Sequence, residues 1–145
     1  ELLPDKSEAI LLAVHQAAKN RYMFGGQGRV PLVMRMPIGI WDASAAQHSQ
    51  SLESWFAHMP GMVVVCPATP QDNYSMLRCA LSSGDPVVYM EHKTLWGLEG
   101  PVDESVQVPL GQAAVLRPGD HLTIDSCMSV HSPANGSQAK AFVWS

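Results

Sequence analysis

The chain has 145 residues, 46% of them hydrophobic and 15% charged, which fits one globular domain with a real core and excludes two full domains. The formal net charge of −4 includes only nine Lys and Arg residues. Because the chain lacks a basic run that would bind a phosphate backbone, nucleic acid is not expected as a partner.

Membrane insertion, secretion and a disulfide framework are not indicated either. No apolar run approaches the roughly 18 residues of a membrane span, and the start of the chain lacks the basic-then-apolar pattern of a signal peptide. Cys66, Cys79 and Cys127 are widely spaced, contain no CxxC pair and are odd in number. We therefore expect reduced thiols, a cytoplasmic location and no membrane partner.

Helix and strand signals alternate along the first half of the chain. Residues 5–8 are typical of a capping box, and the apolar spacing that follows predicts a helix ending near Gly25 and Gly26. Residues 30–34 form a nearly continuous apolar run, which predicts a strand buried on both faces. A short helix is predicted for residues 51–58, and its apolar side is formed by Leu52, Trp55 and Phe56.

Two further strands flank a helix with a strong start signal. Thr69 supplies a hydroxyl N-cap, Pro70 occupies the first helical position and Asp72 places an acid in the first turn. The strands are predicted at residues 62–66 and 86–90. Strands separated by such helices form βαβ units, so we predict an α/β fold with a mostly parallel sheet and flanking helices.

The second half of the chain is less regular. Residues 91–107 are rich in Gly, Pro and charge and predict a long surface loop. Residues 112–116 and 121–124 are two more strand candidates. Beyond them the periodicity disappears, so residues 126–145 are interpreted as a loose tail, of which residues 142–144 could dock at the very end.

The candidate residue that stands out is His48, in the polar loop before the short helix. Histidine side chains are suited to proton transfer in enzymes. The alternative from the residues alone is that His48 caps or braces the helix. A structural zinc site is not indicated, because the remaining His residues have no Cys, Asp or Glu at ligand spacing.

Several long stretches of sequence resemble one family. They are QAAKNRYMFGGQ at residues 16–27, AQHSQSLESWFAHMPG at residues 46–61, VVVCPATPQD at residues 63–72 and DPVVYMEHK at residues 85–93. In this order they resemble the transketolase-like pyrimidine-binding domain. More narrowly, they resemble the β subunit of the thiamin diphosphate-dependent 2-oxo acid dehydrogenases that act on pyruvate, branched-chain substrates or acetoin.

The resemblance implies a domain organisation that departs from the family at both ends. Residues 1–107 are assigned to a truncated pyrimidine-binding-like α/β domain, residues 108–125 to a remnant of the linker and the first strand of the C-terminal domain, and residues 126–145 to a non-family tail. The upstream region that supplies the family's cofactor-activating carboxylate has no counterpart in residues 1–15. No activating glutamate is therefore assigned.

The resemblance also implies cofactors and site residues. The family uses thiamin diphosphate with Mg²⁺, which carries the organic chemistry, and His48 matches the position of its active-site histidine. A potassium ion held by backbone oxygens is the second implication, and the alternative is an ordinary helix end without an ion. The matching positions are Leu32, Ala80, Leu81, Ser83 and Asp85.

Three functions remain open. The favoured one is a truncated homologue without thiamin-dependent catalysis of its own, which does not bind the cofactor alone and acts as a binding or assembly module. The second is a β-type subunit that decarboxylates a 2-oxo acid oxidatively with a separate α subunit, and the third is a small-molecule or ion-binding domain that uses the cleft around His48. A missing upstream βαβ unit would expose a sheet edge and an apolar face, so a homo-oligomer is expected.

Overall fold

The structure, a computed structural model, describes residues 12–112 and the backbone of residues 142–144. The predicted capping box at residues 5–8 and the two strand candidates, apart from Gln112, lie outside these residues. Within the described part of the chain, no helix has the length and apolar character needed to cross a bilayer.

The described chain begins with a turn of π-helix, Leu12–Ala17, which continues directly into helix α1, Ala18–Met23. Ala13 and Ala18 are buried, so the small side chains of this segment face the core. The helix ends in a turn over residues 24–26. The predicted end near Gly25 is confirmed.

Four strands form one sheet in the order β1-β3-β2-β4: β1 is Val33–Ile38, β2 is Val63–Cys66, β3 is Val87–His92 and β4 is Phe142–Trp144. Strands β1 and β2 are both parallel to β3, whereas β4 is antiparallel to β2. The predicted mostly parallel sheet is confirmed, and so is the docking of residues 142–144.

Strand β1 differs from its prediction in position and in burial. It begins at Val33 rather than at residue 30, and Arg35 and Pro37 on one of its faces are exposed. The apolar run at residues 30–34 begins before the strand and ends inside it. Among the described strands, β1 pairs with β3 alone. The expectation of a strand buried on both faces was wrong, because an edge strand has fewer neighbours to cover it.

Two helices connect the parallel strands. Helix α2, Glu53–Ala57, is shorter than predicted, and only Phe56 of its predicted apolar side is fully buried, while Trp55 is half exposed. Helix α3, Pro70–Leu81, begins as predicted: the Thr69 hydroxyl oxygen accepts the Asp72 N–H at 3.1 Å.

The sheet carries an apolar layer on each face, because successive strand residues point to opposite sides. The layer on the α1 and α2 side contains Ala13, Ala18, Ile38, Phe56, Met62, Val64, Cys66, Val88 and Met90. The layer on the α3 side contains Val65, Met76, Ala80, Val87 and Tyr89. Burial raises the pKa of the Tyr89 phenol well above its ordinary value, and its hydroxyl lies 2.9 Å from Asn73 Oδ1.

The segment after β3 is partly anchored to α3. The strand extends to His92, and Lys93–Leu95 forms a 3-10 turn, so the predicted surface loop begins later than residue 91. Ser75, buried within α3, donates its hydroxyl to the Val106 carbonyl at 2.9 Å. Val108 and Leu110 then pack against the α3-side core layer.

Candidate functional site

The carboxyl ends of β1 and β3 lie side by side, because the two strands are parallel and Ile38 pairs with His92. In open parallel sheets, ligand-binding groups gather at this edge. The chain leaving β1 forms a loop over residues 39–50, which we call the His48 loop. The chain leaving β3 places Lys93 and Thr94 beside it.

His48 ends a 3-10 turn, Ala46–His48, and its side chain is exposed. Its carbonyl oxygen accepts a hydrogen bond from the Lys93 ammonium group. Helix α2 has Leu52 at its N-cap and no capping hydrogen bond from a side chain, so the His48 imidazole does not cap that helix. The imidazole is therefore accessible at the carboxyl edge of the sheet.

The base of the His48 loop is closed, while its middle has a strained backbone. The Gly39 N–H donates to the Gln50 carbonyl at 2.7 Å. Ala43 has φ +51° and Ala45 has φ +56°, both in the left-handed region that favours glycine. Each such residue costs on the order of 1–3 kcal/mol and persists only where surrounding contacts hold it.

An aromatic pair joins the His48 loop to the segment after β3. The rings of Trp41 and Trp96 meet edge to face, with centroids 5.2 Å apart and an interplanar angle of 60°. Such pairs contribute about 0.5–1.5 kcal/mol beyond the area they bury. Both indoles and the neighbouring Ile40 remain substantially exposed, which leaves an apolar surface beside His48.

His92 packs directly against the first residue of the His48 loop. A Cβ atom at Gly39 would lie 2.1 Å from His92 Nε2, so only glycine fits there. The Thr94 hydroxyl lies 2.7 Å from His92 Nδ1. Burial lowers the pKa of the His92 imidazole, while the nearby Glu53 carboxylate acts in the opposite direction and the Lys93 ammonium group adds to the decrease.

The sequence interpretation missed the group formed by Glu53, His92 and Lys93. Glu53 Oε2 is buried and has no hydrogen-bond partner among the described residues. A signal was present, because polar residues that follow an apolar run mark the carboxyl end of a predicted strand. What the sequence could not show was the pairing of β1 with β3 that brings these residues to the His48 loop.

A cavity of about 570 Å³ lies between the start of α3 and the end of β3. Its polar lining includes Thr69, Asn73, Arg78, Glu91 and His92, and Trp96 forms part of its wall. His48 is not part of the lining. The open apolar surface and this cavity are therefore adjacent, joined through Trp96 and its contact with Trp41.

The five residues predicted to hold a cation lie at the opposite, amino edge of the sheet, where two hydrogen bonds join the entry to β1 to the turn after α3 and to the start of β3. The Val30 N–H donates to the Gly84 carbonyl at 2.9 Å, and the Val87 N–H donates to the Leu32 carbonyl at 2.8 Å. The Asp85 carboxylate is engaged by Arg21 at 2.6 Å.

The carbonyl groups at this edge differ in acceptor capacity. The Leu32 carbonyl accepts the Val87 N–H at 2.8 Å, and a carbonyl oxygen has two lone pairs, whereas the Ala80 carbonyl accepts from both the Ser82 and Ser83 N–H groups. Within residues 12–112, no cluster of three or more His, Cys, Asp or Glu side chains could hold a metal ion. Any cation at this edge would rely on backbone oxygens.

Comparison with known proteins agrees with the fold. The family described as the transketolase, pyrimidine binding domain matches residues 9–97, which is more than half of the chain. The chain therefore belongs to this family.

Its relatives include proteins named as beta subunits. The chain is 48% identical over 111 residues to the acetoin:2,6-dichlorophenolindophenol oxidoreductase subunit beta of Cupriavidus necator, covering 76% of this chain and 33% of the relative. It is 42% identical over 124 residues to the mitochondrial pyruvate dehydrogenase E1 component subunit beta of Caenorhabditis elegans, and the match covers 82% of this chain and 35% of the relative. The chain thus spans about a third of the length of these relatives.

Proposed function

We propose that this chain is the pyrimidine-binding-domain core of a β-type subunit whose site is completed by a partner. On its own it acts as a binding or assembly module and has no thiamin-dependent catalysis. The exposure of His48 carries this proposal: its imidazole lies on an open loop at the carboxyl edge of the sheet. Proton transfer to a reactive intermediate needs a site from which water is excluded, and a second surface would have to provide that enclosure.

An α-type subunit is the partner that the relatives support, since they are named as beta subunits. The surface beside His48 suits protein docking. Trp41 and Trp96 keep 43% and 56% of their surface exposed, and tryptophan is enriched at the centres of protein interfaces. In the assembly, the His48 imidazole would face a bound ligand.

The described residues do not fit the whole cofactor of the family. Thiamin diphosphate brings a diphosphate with Mg²⁺, which needs several hard oxygen ligands. Glu91 is paired with Arg35 at 2.7 Å, and Glu53 Oε2 is buried, so neither carboxylate is exposed as a ligand on the open edge. Thiamin diphosphate and Mg²⁺ are therefore proposed to bind only in the completed assembly.

The alternative function is a β-type subunit that carries out oxidative decarboxylation of a 2-oxo acid together with a separate α subunit. The observation that favours it is the 48% and 42% identity to the two β subunits across three quarters or more of this chain. Under this alternative His48 also lies at the carboxyl edge of the sheet, and the α subunit supplies the groups that bind thiamin diphosphate and Mg²⁺.

Calorimetric titration separates the two functions. Thiamin diphosphate with Mg²⁺ is titrated into the chain alone and into the chain mixed with an α subunit, and decarboxylation is assayed in the mixture. The proposal predicts no heat of cofactor binding for the chain alone. Binding by the isolated chain would contradict it, and turnover in the mixture that is lost in His48→Gln would favour the alternative.

A monovalent cation site is proposed at the amino edge, formed by backbone oxygens of Leu32, Ala80, Leu81, Ser83 and Asp85. The closeness of the two segments and the second lone pair of the Leu32 carbonyl oxygen support it. A ligand that binds only the folded chain raises its melting temperature. The melting temperature is therefore expected to be higher in KCl than in tetramethylammonium chloride at equal ionic strength. Equal melting temperatures in the two salts would contradict the site.

We further propose that the chain forms a homo-oligomer in the cytoplasm. The open edge of β1 supports self-association, because an unpaired strand edge offers hydrogen-bonding groups to another chain. The wide spacing of the three cysteines supports a reducing compartment.

A further inference from the structure

The Lys93 ammonium group reaches across the carboxyl edge of the sheet to the backbone of the His48 loop. Lys93 is the first residue after β3, while His48 lies 45 residues earlier in the sequence, and the hydrogen bond joins the lysine Nζ to the histidine carbonyl oxygen. The side chain of Lys93 is half-buried, in contrast to the exposed His48. The contact therefore fixes the backbone of His48 and leaves its imidazole accessible.

The other attachments of the loop involve residues other than His48. The Gly39 N–H to Gln50 carbonyl bond closes the base, and the Trp41 ring contacts Trp96 near the start. Between these points and His48, Ala43 and Ala45 have left-handed backbone conformations that would relax if the chain were released. Apart from the Gly39–Gln50 bond and the 3-10 turn, the hydrogen bonds described within the loop are short-range ones made by Ser44.

We propose that Lys93 is a positioning residue that holds the strained His48 loop against the end of β3 and thereby sets where the His48 imidazole lies. The last residue of β3 and the first residue of the 3-10 turn then contact the loop at two points. The His92 ring abuts Gly39 at the start of the loop, and Lys93 binds the carbonyl of His48 near its end. This inference rests on the role proposed for His48, because positioning matters only if that imidazole faces a ligand.

The test compares Lys93→Met, which removes the donor but keeps an unbranched apolar chain, with Lys93→Arg, which keeps a cationic donor. Lys19→Met is the matched control: Lys19 also donates to a backbone carbonyl, that of Val14 at 3.0 Å, but within the first helical segment. Lys93→Leu, which also lacks a donor, replaces Lys93→Met if the latter does not fold by circular dichroism.

Hydrogen exchange of the amides in residues 43–50 and the NMR signals of the His48 ring are the readouts, and both are measured without cofactor or partner. Lys93→Met is expected to speed loop exchange at least tenfold and to move the His48 ring signals, and Lys93→Arg is expected to restore both. Loop exchange and ring signals that stay as in the unmodified chain would overturn the inference. Because no thiamin binding is measured, this failure is distinct from failure of the proposed function.

Discussion

Ala45 combines φ +56° with ψ −168°, a backbone conformation adopted almost solely by glycine. Replacing this residue with glycine removes the steric cost while changing nothing else in the exposed loop. Ala45→Gly is therefore expected to increase the free energy of unfolding in urea by about 1 kcal/mol. Ala46→Gly is the matched control, because Ala46 lies in the following 3-10 turn and gains only flexibility. If Ala45→Gly lowered the free energy of unfolding as much as Ala46→Gly does, the backbone strain at Ala45 would be contradicted.

Gly39 is required because of its backbone conformation and because of its contact with the His92 ring. The two effects on stability can be measured separately. Its φ is +81°, and an added Cβ would lie 2.1 Å from His92 Nε2. Gly25→Ala provides the comparison, since Gly25 has φ +61° but nothing within 4 Å of its would-be Cβ. The backbone effect alone costs about 1–2 kcal/mol.

Gly39→Ala is expected to lower the free energy of unfolding by more than Gly25→Ala does, and the difference measures the contact with His92. Combining Gly39→Ala with His92→Ala should recover part of this difference, as expected for residues in contact. Strict additivity of the two substitutions in urea unfolding would mean that the ring does not restrict this position.

The connection between β2 and α3 shows how a local signal determines where an element begins. The Thr69 hydroxyl oxygen satisfies the Asp72 N–H, which has no partner within the helix. Thr69→Ala is expected to destabilise the protein by about 1 kcal/mol, whereas Thr69→Ser keeps the acceptor and most of the stability. The measurement is chemical denaturation followed by circular dichroism, and equal effects of the two substitutions would exclude the cap.

The elements that the sequence predicted well are those set by neighbours in sequence. The start of α3 and the end of α1 follow from capping residues and turns, and the buried strand β2 follows from its apolar run. The position of β1 was missed, because residues 30–34 are apolar on both sides of the strand entry. Long-range pairing decides where such a run becomes a strand, and a single sequence does not contain that register.

The candidate site also has one part that local sequence predicts and one part that depends on long-range pairing. His48 was identified because its surrounding segment resembles a family, and that information is local. The contacts of His92 with Gly39 and of Lys93 with the His48 carbonyl join residues that are distant in sequence. They depend on β1 lying next to β3, with β2 on the far side of β3, an order that alternating elements alone do not specify.

The stability of the whole molecule is expected to depend on pH through His92. Burial lowers the pKa of this imidazole below its ordinary value of 6.5, so the unfolded chain binds the proton first as the pH falls. The stabilisation of the folded state by the neutral His92 imidazole is complete above about pH 6.5. It is lost progressively below that pH, as the pH falls toward the pKa of the folded state. His92→Gln should therefore flatten the decrease in unfolding free energy between about pH 7.5 and pH 5.

Urea unfolding at a series of pH values checks this expectation. His58→Gln is the matched control, because His58 is an exposed histidine at the end of α2. An unchanged slope in His92→Gln would show that His92 does not couple protonation to folding. A slope that changes equally in both variants would lead to the same conclusion.

The two edges of the described sheet differ, and this difference bears on assembly. At one edge β4 pairs with β2, whereas at the other edge β1 pairs with β3 alone. The Val87 N–H donates to the Leu32 carbonyl, so in a parallel ladder the backbone groups of Val33, Arg35 and Pro37 point away from β3. Pro37 has no N–H, which leaves the donors of Val33 and Arg35 for a second chain.

A homo-oligomer that uses this edge makes a direct prediction. Arg35→Pro removes one outward donor without removing a bond to β3, and Arg35→Ala is its control, since both substitutions remove the ion pair with Glu91. At tens of micromolar, light scattering is expected to show a dimer or larger species for the unmodified chain and for Arg35→Ala, and a monomer for Arg35→Pro. A monomeric unmodified chain would contradict self-association. An Arg35→Pro variant that keeps its full size would place the contact on a surface other than β1.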